Sequence, residues 1–392
     1  MPLSIPAVQR ALQEDALDGW LLYDFHGSNP IARRITGLDG GKKLSTRRWY
    51  YLIPASGEPR KLVHAIEAYQ LDHLPGTKTT YSRRETLTSG LRDVLGGLKR
   101  VAMEYSRGAA IPYISRVDAG TVEAVQDLNI DVASSGDLVQ RFEAVWSDEA
   151  YKSHCAASKR LYRIKDRAFE LIRDARKAGR PLTETDVQRS MMGWFRDEGL
   201  VTDAAPVVAA QEHAGNPHYA PDPANPRQIG DGEVVLLDLW GKLSEPGAVF
   251  ADITWMGFTG PAVPDRYARA FEAARQGRDA AIKLVTDRVA AGQEVRGFEV
   301  DRACRTVIEG AGYGPAFIHR TGHSLGTDVH GNGVHMDDYE THDDRRLIPG
   351  TGFTIEPGIY TSEFGVRTEI NMFVGERAAT VSGPAQSEFV LV

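Results

Sequence analysis

Four acidic residues stand inside stretches that otherwise read as buried β-strands, and this limits the possible folds more than any other feature of the chain. Val234-Val235-Leu236-Leu237-Asp238-Leu239-Trp240 is an apolar run with one carboxylate in it. The same holds for Phe250-Ala251-Asp252-Ile253-Thr254-Trp255, for Phe353-Thr354-Ile355-Glu356 and for Val366-Arg367-Thr368-Glu369-Ile370. Burying one unpaired ionised carboxylate costs several kcal/mol or more, against a total folding stability of only about 5–15 kcal/mol. Four of them demand compensation. Arg367 is the only cation within these stretches, whereas His319, His323, His330, His335 and His342 are five of the chain's eleven histidines. Carboxylates with imidazole and no cysteine form a donor set for Mn, Zn, Co or Fe rather than a zinc finger or an iron–sulfur cluster. A buried metal site is the expectation.

A length of 392 residues exceeds one ordinary core, so two domains are expected. The net charge of −7 argues against broad nucleic-acid binding, which needs a basic footprint. Cys155 and Cys304 are too few for a disulfide framework. Met1-Pro2-Leu3-Ser4-Ile5-Pro6 is not a cationic start followed by an apolar stretch, and no apolar run approaches the ~18 residues of a membrane span. The expectation is a cytoplasmic protein without a membrane partner. Gly40-Gly41-Lys42-Lys43 does not carry the spacing of a phosphate loop. Arg47-Arg48-Trp49 reads as a solvated strand entrance, with a substrate contact across a dimer left open.

The first third mixes strands with helices. Trp20–Tyr23, Trp49–Ile53, Lys61–His64 and Val101–Tyr105 read as strands, with helices over Ile114–Leu128 and Gly136–Val145. The pattern changes near Trp146-Ser147-Asp148. Tyr151 to Ala178 predicts a long amphipathic helix, and Thr183 with Asp186 marks the start of a second, ending near Gly199. Strands follow at Pro206–Ala210, Glu233–Gly241 and Phe250–Gly257. Helices over Asp265–Ala290 and Gly297–Ala311 then precede strands around Phe317, at Phe353–Ile359 and at Val366–Val374. Two helices followed by strands, twice over, suggests a duplicated α+β domain whose pseudo-two-fold gathers the four carboxylates.

Strand alternation puts Leu236, Asp238 and Trp240 on one face, Phe250, Asp252 and Thr254 on another, and aligns Arg367 with Glu369 and Asn371. Four carboxylates and one imidazole match the charge of two divalent cations. Two such ions roughly 3.5–4 Å apart are the recurrent arrangement for metal-assisted hydrolysis.

In order, Leu237-Asp238-Leu239, Ala251-Asp252-Ile253-Thr254, Gly322-His323-Ser324-Leu325-Gly326, Thr354-Ile355-Glu356-Pro357-Gly358 and Val366-Arg367-Thr368-Glu369 resemble the metal-ligand motifs of the pita-bread metallopeptidases. That family comprises methionine aminopeptidases, Xaa-Pro aminopeptidases and prolidases. The resemblance implies an α+β fold: a pita-bread catalytic domain with pseudo-two-fold duplication over 148–392, preceded by a smaller α/β creatinase/prolidase-like domain over 1–147. It implies two divalent metal ions, Mn first, with Co or Zn as alternatives. Asp238 would bind one ion, His323 and Glu356 the other, with Asp252 and Glu369 bridging. Glu356 would also act as general base or proton shuttle. His218, in Asn216-Pro217-His218-Tyr219, matches a substrate-side histidine, and His330 matches one that contacts the scissile carbonyl or shuttles protons. His319 matches a histidine of the proline-specific branch. Arg367 matches an arginine near substrate or the catalytic water, with a purely structural partnership to Glu369 equally open. His213, His335 and His342 read as solvated loop residues. Departures flank the ligands: Ser324 follows His323 where glycine is usual, Trp255 and Met256 follow Thr254, Gly331-Asn332-Gly333 follows His330, and Ile370 follows Glu369.

The N-terminal domain favours the proline-specific branch. The leading expectation is a dinuclear-metal exopeptidase acting on Xaa-Pro dipeptides through a metal-bridging water, as a homodimer. An Xaa-Pro aminopeptidase acting on longer peptides is the alternative, and a non-enzymatic binding module of the same fold a weaker one. A dipeptidase needs a cation for the carboxylate after proline, and His319 when protonated, Arg367 or the Arg47-Arg48 segment of a partner subunit are the candidates.

Overall fold

The computed structural model describes residues 3–38 and 45–392, so Gly40, Gly41, Lys42 and Lys43 lie outside the described residues. The chain divides into two units, Met1–Glu143 and Ala144–Val392.

In the first unit the strands are β1 (Gly19–Asp24), β2 (Trp49–Pro54), β3 (Arg60–His64), β4 (Thr77–Tyr81), β5 (Arg100–Met103) and β6 (Asp131–Ser134). They form one sheet in the order β4-β3-β2-β1-β5-β6, in which β1 is antiparallel to β2 and parallel to β5. Period-2 alternation divides the central strands between two cores. Trp20, Leu22, Tyr51 and Ile53 pack with α1 (Ile5–Glu14) and α2 (Pro30–Ile35), while Leu21, Tyr23, Tyr50 and Leu52 pack with α3 (Arg84–Leu95) and α4 (Ala119–Gln126). The helix expected from Ile114 begins only at Ala119, because extended Asp118 accepts the Thr121 amide at 2.9 Å and caps it there. The one expected over Gly136–Val145 is α5 (Gly136–Val139), continued by a wider π-turn through Ala144. Beyond the end of β5, Glu104 is fully buried and accepts hydrogen bonds from Trp20 Nε1 (2.7 Å), Asn29 Nδ2 (2.7 Å) and Ser135 Oγ (3.1 Å).

The second unit opens with α6 (Asp148–Lys177), capped by Ser147, and α7 (Glu184–Asp197), entered through a capping box between Thr183 and Asp186. Strands β7 (Leu200–Val201), β8 (Val207–Ala210), β9 (Val234–Leu243) and β10 (Ala251–Phe258) follow. After α8 (Asp265–Ala290) and α9 (Gly297–Gly310) come β11 (Ser324–Leu325), β12 (Gly352–Ile355), β13 (Gly358–Tyr360), β14 (Gly365–Arg367), β15 (Ile370–Val374), β16 (Ala379–Val381) and β17 (Val390–Leu391). One sheet runs β17-β10-β9-β7 with β8 also paired to β9; another runs β11-β12-β15-β16; β13 and β14 make a separate ribbon. Alternation again sorts the faces. Val235, Leu237, Leu239, Ala251 and Ile253 join the core beneath α6 and α7, whereas Val234, Leu236, Met256 and Phe258 join the core shared with α8, α9, β12 and β15. By the same period, Asp238, Asp252 and Thr254 lie on the second face, toward β12 and β15.

Three expectations are corrected. No strand forms around Phe317 among the described residues; a 3-10 turn at Gly314–Ala316 precedes it. The runs Phe353–Ile359 and Val366–Val374 are each broken in two. The β12–β15 ladder ends at Ile355↔Ile370 and the β13–β14 ladder begins at Gly358↔Arg367, so Glu356-Pro357 and Thr368-Glu369 oppose each other at the junction. Pro357 has no N–H to continue a ladder. The Glu356 amide turns instead to Thr321 O (2.7 Å) and the Glu369 amide to Thr254 O (3.3 Å). Two of the four acidic residues therefore sit at strand breaks rather than within strands.

Candidate metal centre

The pairing of β9 with β10 sets Thr254 opposite Asp238 and Trp240 opposite Asp252, which puts both aspartates on one sheet face. Asn371 on β15 ties this sheet to the next: its side-chain oxygen accepts the Asp252 amide (3.0 Å) and its nitrogen donates to the Asp252 carbonyl. His323 precedes β11, held by donation of its amide to Thr354 Oγ1 (2.9 Å). Its neighbour must be glycine, since a Cβ on Gly322 would lie 2.0 Å from Thr354 O. Ser324 is accommodated because its hydroxyl accepts the Gly333 amide (3.0 Å), closing the turn after His330 without displacing His323.

Asp252, His323 and Glu369 each offer a donor atom within 4.8 Å of the others, and all three are buried. His323 Nε2 lies 3.6 Å from Asp252 Oδ2 and 3.5 Å from Glu356 Oε1. Its Nδ1 faces the Ser324 carbonyl at 3.1 Å, and a carbonyl only accepts, so Nδ1 carries the proton. In the neutral ring Nε2 therefore turns a lone pair toward two carboxylates. Asp252 Oδ1 and Glu369 Oε1 are buried and have no hydrogen-bond partner. Lone pairs that converge without a donor are the arrangement a divalent cation satisfies, and the all-oxygen-and-imidazole set suits it chemically.

The charges respond to this crowding. Burial, then the neighbouring acids Asp252, Glu356 and Asp238 in differing combinations, pushes Asp238 up to about 7, raises Asp252 and raises Glu369 well above the usual carboxylate range. Glu356 moves the other way. Burial raises it, but His323, His319, Arg367 and Arg320 together outweigh that and hold it below its ordinary value. Arg367 forms an ion pair with Asp238 through Nη2, donates Nε–H to Thr254 Oγ1 (2.9 Å) and Nη1–H to Tyr360 Oη (3.0 Å). Having accepted from Arg367, Thr254 donates to Glu369 Oε2 at 2.8 Å.

The remaining expected site residues fall into two groups. His330 packs edge-on against His323 with ring centroids 4.4 Å apart, and burial lowers it to about 4. His319 donates Nδ1–H to Arg320 O (2.7 Å) and accepts from Tyr360 Oη at Nε2 (2.8 Å); burial takes it to about 4. His319 is thus neutral at pH 7 and does not serve as the cation for a substrate carboxylate. His218 is exposed, on a loop whose Pro217 carbonyl receives Arg367 Nη1 at 3.5 Å. His213 and His335 are not solvated loop residues: His335 is fully buried with Nδ1 accepting the Ser324 amide (3.2 Å), and His213 bonds Glu184. His342 pairs with Asp338 (2.6 Å) at the surface. Tyr360, Thr254 and Arg320 escaped the sequence reading. For Tyr360 a signal existed, since it stands four residues after Glu356 on the strand that leaves the junction.

Residues 156–376, more than half the chain, match the model of Metallopeptidase family M24. A "Probable dipeptidase PepE" of Mycobacterium bovis is 28% identical over 257 residues, 65% of this chain and 63% of that protein. An "Xaa-Pro dipeptidase" of Lactobacillus helveticus is 34% identical over 164 residues, covering 42% and 40%. The chain thus spans less than two thirds of these relatives' length. Among solved structures, dipeptidase PepE from Mycobacterium ulcerans superposes with a TM-score of 0.68 at 22% identity, over 99% of this chain and 96% of that one. A prolidase from Thermococcus sibiricus gives 0.63 at 21%, over 99% and 98%. These neighbours share the fold, and with the family match over the second unit, the chain belongs to metallopeptidase family M24.

Proposed function

We propose that this protein is a two-metal exopeptidase that hydrolyses Xaa-Pro dipeptides. The observation that carries the reading is that Asp252, His323 and Glu369 each bring a ligand atom within 4.8 Å of the others, in a buried site where Asp252 Oδ1 and Glu369 Oε1 have no hydrogen-bond partner. Asp252, His323 and Glu369 would hold metal with Asp238 and Glu356 completing the set, manganese first and cobalt or zinc as alternatives. The bound cations supply positive charge that polarises a peptide carbonyl and eases deprotonation of water. Glu356, whose carboxyl is held below its ordinary value, takes the proton of the attacking water as general base. Arg367 pairs with Asp238 and orients it, and neutral His319 fixes the Tyr360 hydroxyl. His330 and His218 contact substrate around the scissile bond. The twofold recurrence of helix pair and strands supports a duplicated pita-bread domain behind a creatinase-like first domain. A cytoplasmic homodimer is part of the same reading; no helix among the described residues is long and apolar enough to cross a membrane.

The dipeptide assignment draws support from relatives named dipeptidase and Xaa-Pro dipeptidase. One observation favours an aminopeptidase on longer Xaa-Pro peptides. His319 is neutral and Arg367 is engaged by Asp238, Tyr360 and Thr254, which withdraws two of the cations a dipeptide carboxylate would use. The test is hydrolysis, with Mn added, of Ala-Pro and Leu-Pro, their C-terminal amides, a tripeptide with proline second, and Met-Ala-Ser. A dipeptidase cleaves the free acids at least about tenfold faster by kcat/KM, the factor of one charge-assisted contact. Equal rates on acid, amide and tripeptide transfer the assignment to an aminopeptidase. Failure on every Xaa-Pro bond removes the proline reading.

A further inference from the structure

We infer that Glu184 is a positioning residue for His218, acting through Tyr219. Glu184 opens α7 and its side chain is fully buried, away from the acids of the metal centre in sequence and bonded to none of them. Its Oε1 accepts the Ala210 amide at 2.6 Å, which fixes the end of β8. Its Oε2 accepts Tyr219 Oη–H at 2.5 Å and His213 Nδ1–H at 3.0 Å. The rings of His213 and Tyr219 lie 4.3 Å apart, so the two donors to one oxygen also pack on each other. A carboxylate at the first turn of a helix is ordinarily solvated and serves the helix dipole. Here it is turned inward, and its side-chain partners come from the segment that carries His218.

The geometry pins His218 from both sides. Its preceding residue is held by the site itself, through Arg367 Nη1 to Pro217 O at 3.5 Å. Its following residue, Tyr219, is held by Glu184. Between them the Asn216 side chain accepts the His218 amide at 3.1 Å, closing the turn. His218 is thus exposed, while Pro217 before it is tied through its carbonyl and Tyr219 after it through its hydroxyl to buried charged groups. A loop side chain left without such ties would sample many rotamers, and ordering it on substrate would cost binding energy. The tether orders the backbone before substrate arrives.

This inference rests on the proposed peptidase reading for His218, and the test separates the two. Tyr219→Phe removes one hydroxyl while keeping the ring against His213, and Glu184→Gln keeps the size of the buried side chain. Kinetics on Ala-Pro with Mn are measured for Tyr219→Phe in the parent and in a His218→Ala background. Tyr219→Phe is expected to lower kcat/KM about tenfold in the parent and less than about twofold once His218 is gone, because positioning has value only while there is a ring to position. An equal loss in both backgrounds overturns the inference. Hydrogen exchange of the metal-free protein, read by mass spectrometry, supplies a second readout. Faster exchange across 213–219 in Tyr219→Phe and Glu184→Gln, with 251–258 unchanged, supports the tether; unaltered exchange across 213–219 overturns it. If the parent cleaves no Xaa-Pro peptide, the peptidase reading fails while the exchange result still decides the tether.

Discussion

Thr254→Val tests whether the hydroxyl between Arg367 and Glu369 is a structural clamp on the metal centre. Threonine accepts Arg367 Nε–H at 2.9 Å and donates to Glu369 Oε2 at 2.8 Å. Valine preserves the β-branched shape and strand propensity but leaves a buried guanidinium hydrogen and a buried carboxyl oxygen without partners. Orphaning a buried polar group costs about 1–3 kcal/mol, so the pair should cost about 3 kcal/mol in the metal-free protein. For a unit of this size, 1 kcal/mol moves Tm by roughly 2–4 °C, giving a fall of roughly 6–12 °C. Metal affinity should fall too, by roughly 10–100-fold, the usual effect of removing a group that orients a ligating carboxylate. Calorimetry in chelator gives the first quantity, and Mn titration against a chromophoric chelator gives the second. A Tm within about 2 °C of the parent together with a Kd within about twofold would refute the clamp.

Three further outcomes are expected. Glu356→Gln should keep the fold and part of the metal affinity while kcat drops by roughly 10²–10⁴-fold; surviving kcat with a raised KM would exclude Glu356 as the base. Asp252→Asn should raise the Tm of the metal-free protein, since burial beside the other acids already disfavours the charged Asp252 carboxylate, and should lower it relative to the parent in Mn; an unchanged Tm in chelator would show that burying this acid carries no cost. Glu104, pushed up to about 7 by burial against its three hydrogen bonds, favours its neutral form in the folded state. Its contribution is complete below its ordinary value near 4.5 and is lost as pH rises through about 7, a swing of about 3 kcal/mol. Urea unfolding at pH 5 and pH 8 measures it, and Glu104→Gln should abolish the difference.

The sequence carried the site further than the backbone around it. A carboxylate in an apolar run is legible because burial makes it expensive, and Asp238, Asp252, Glu356 and Glu369 were found on that ground alone. Where the strands stop was less legible. Pro357 signalled a break, yet the apolar residues on both sides of it kept the pattern of one continuous strand. Long periodic elements were read well: the helix expected over Asp265–Ala290 spans those residues. The Gly136–Val145 segment shows the converse, since apolar spacing does not distinguish an α-turn from the π-turn that follows Val139. Thr254 and Tyr360 were missed because hydroxyl and aromatic side chains are ordinary in strands and advertise no cost. Glu184 and His213 were missed because a glutamate at a helix start and a histidine in a loop both have routine explanations, and only the fold reveals that they meet.

The junction between two ladders, where Glu356-Pro357 faces Thr368-Glu369, also separates what must stay constant from what can change. On one side lies the β12–β15 ladder, whose Asn371 grips the Asp252 strand and fixes the position of the acids. On the other lies the short β13–β14 ribbon, with Arg367 at its base, Tyr360 at its far end and the 361–364 turn at its tip. Insertions or exchanges in that turn would leave the register of the acid-bearing ladder intact, since that register does not pass through it. Within such a family, the ribbon's tip can therefore drift while the metal ligands stay put.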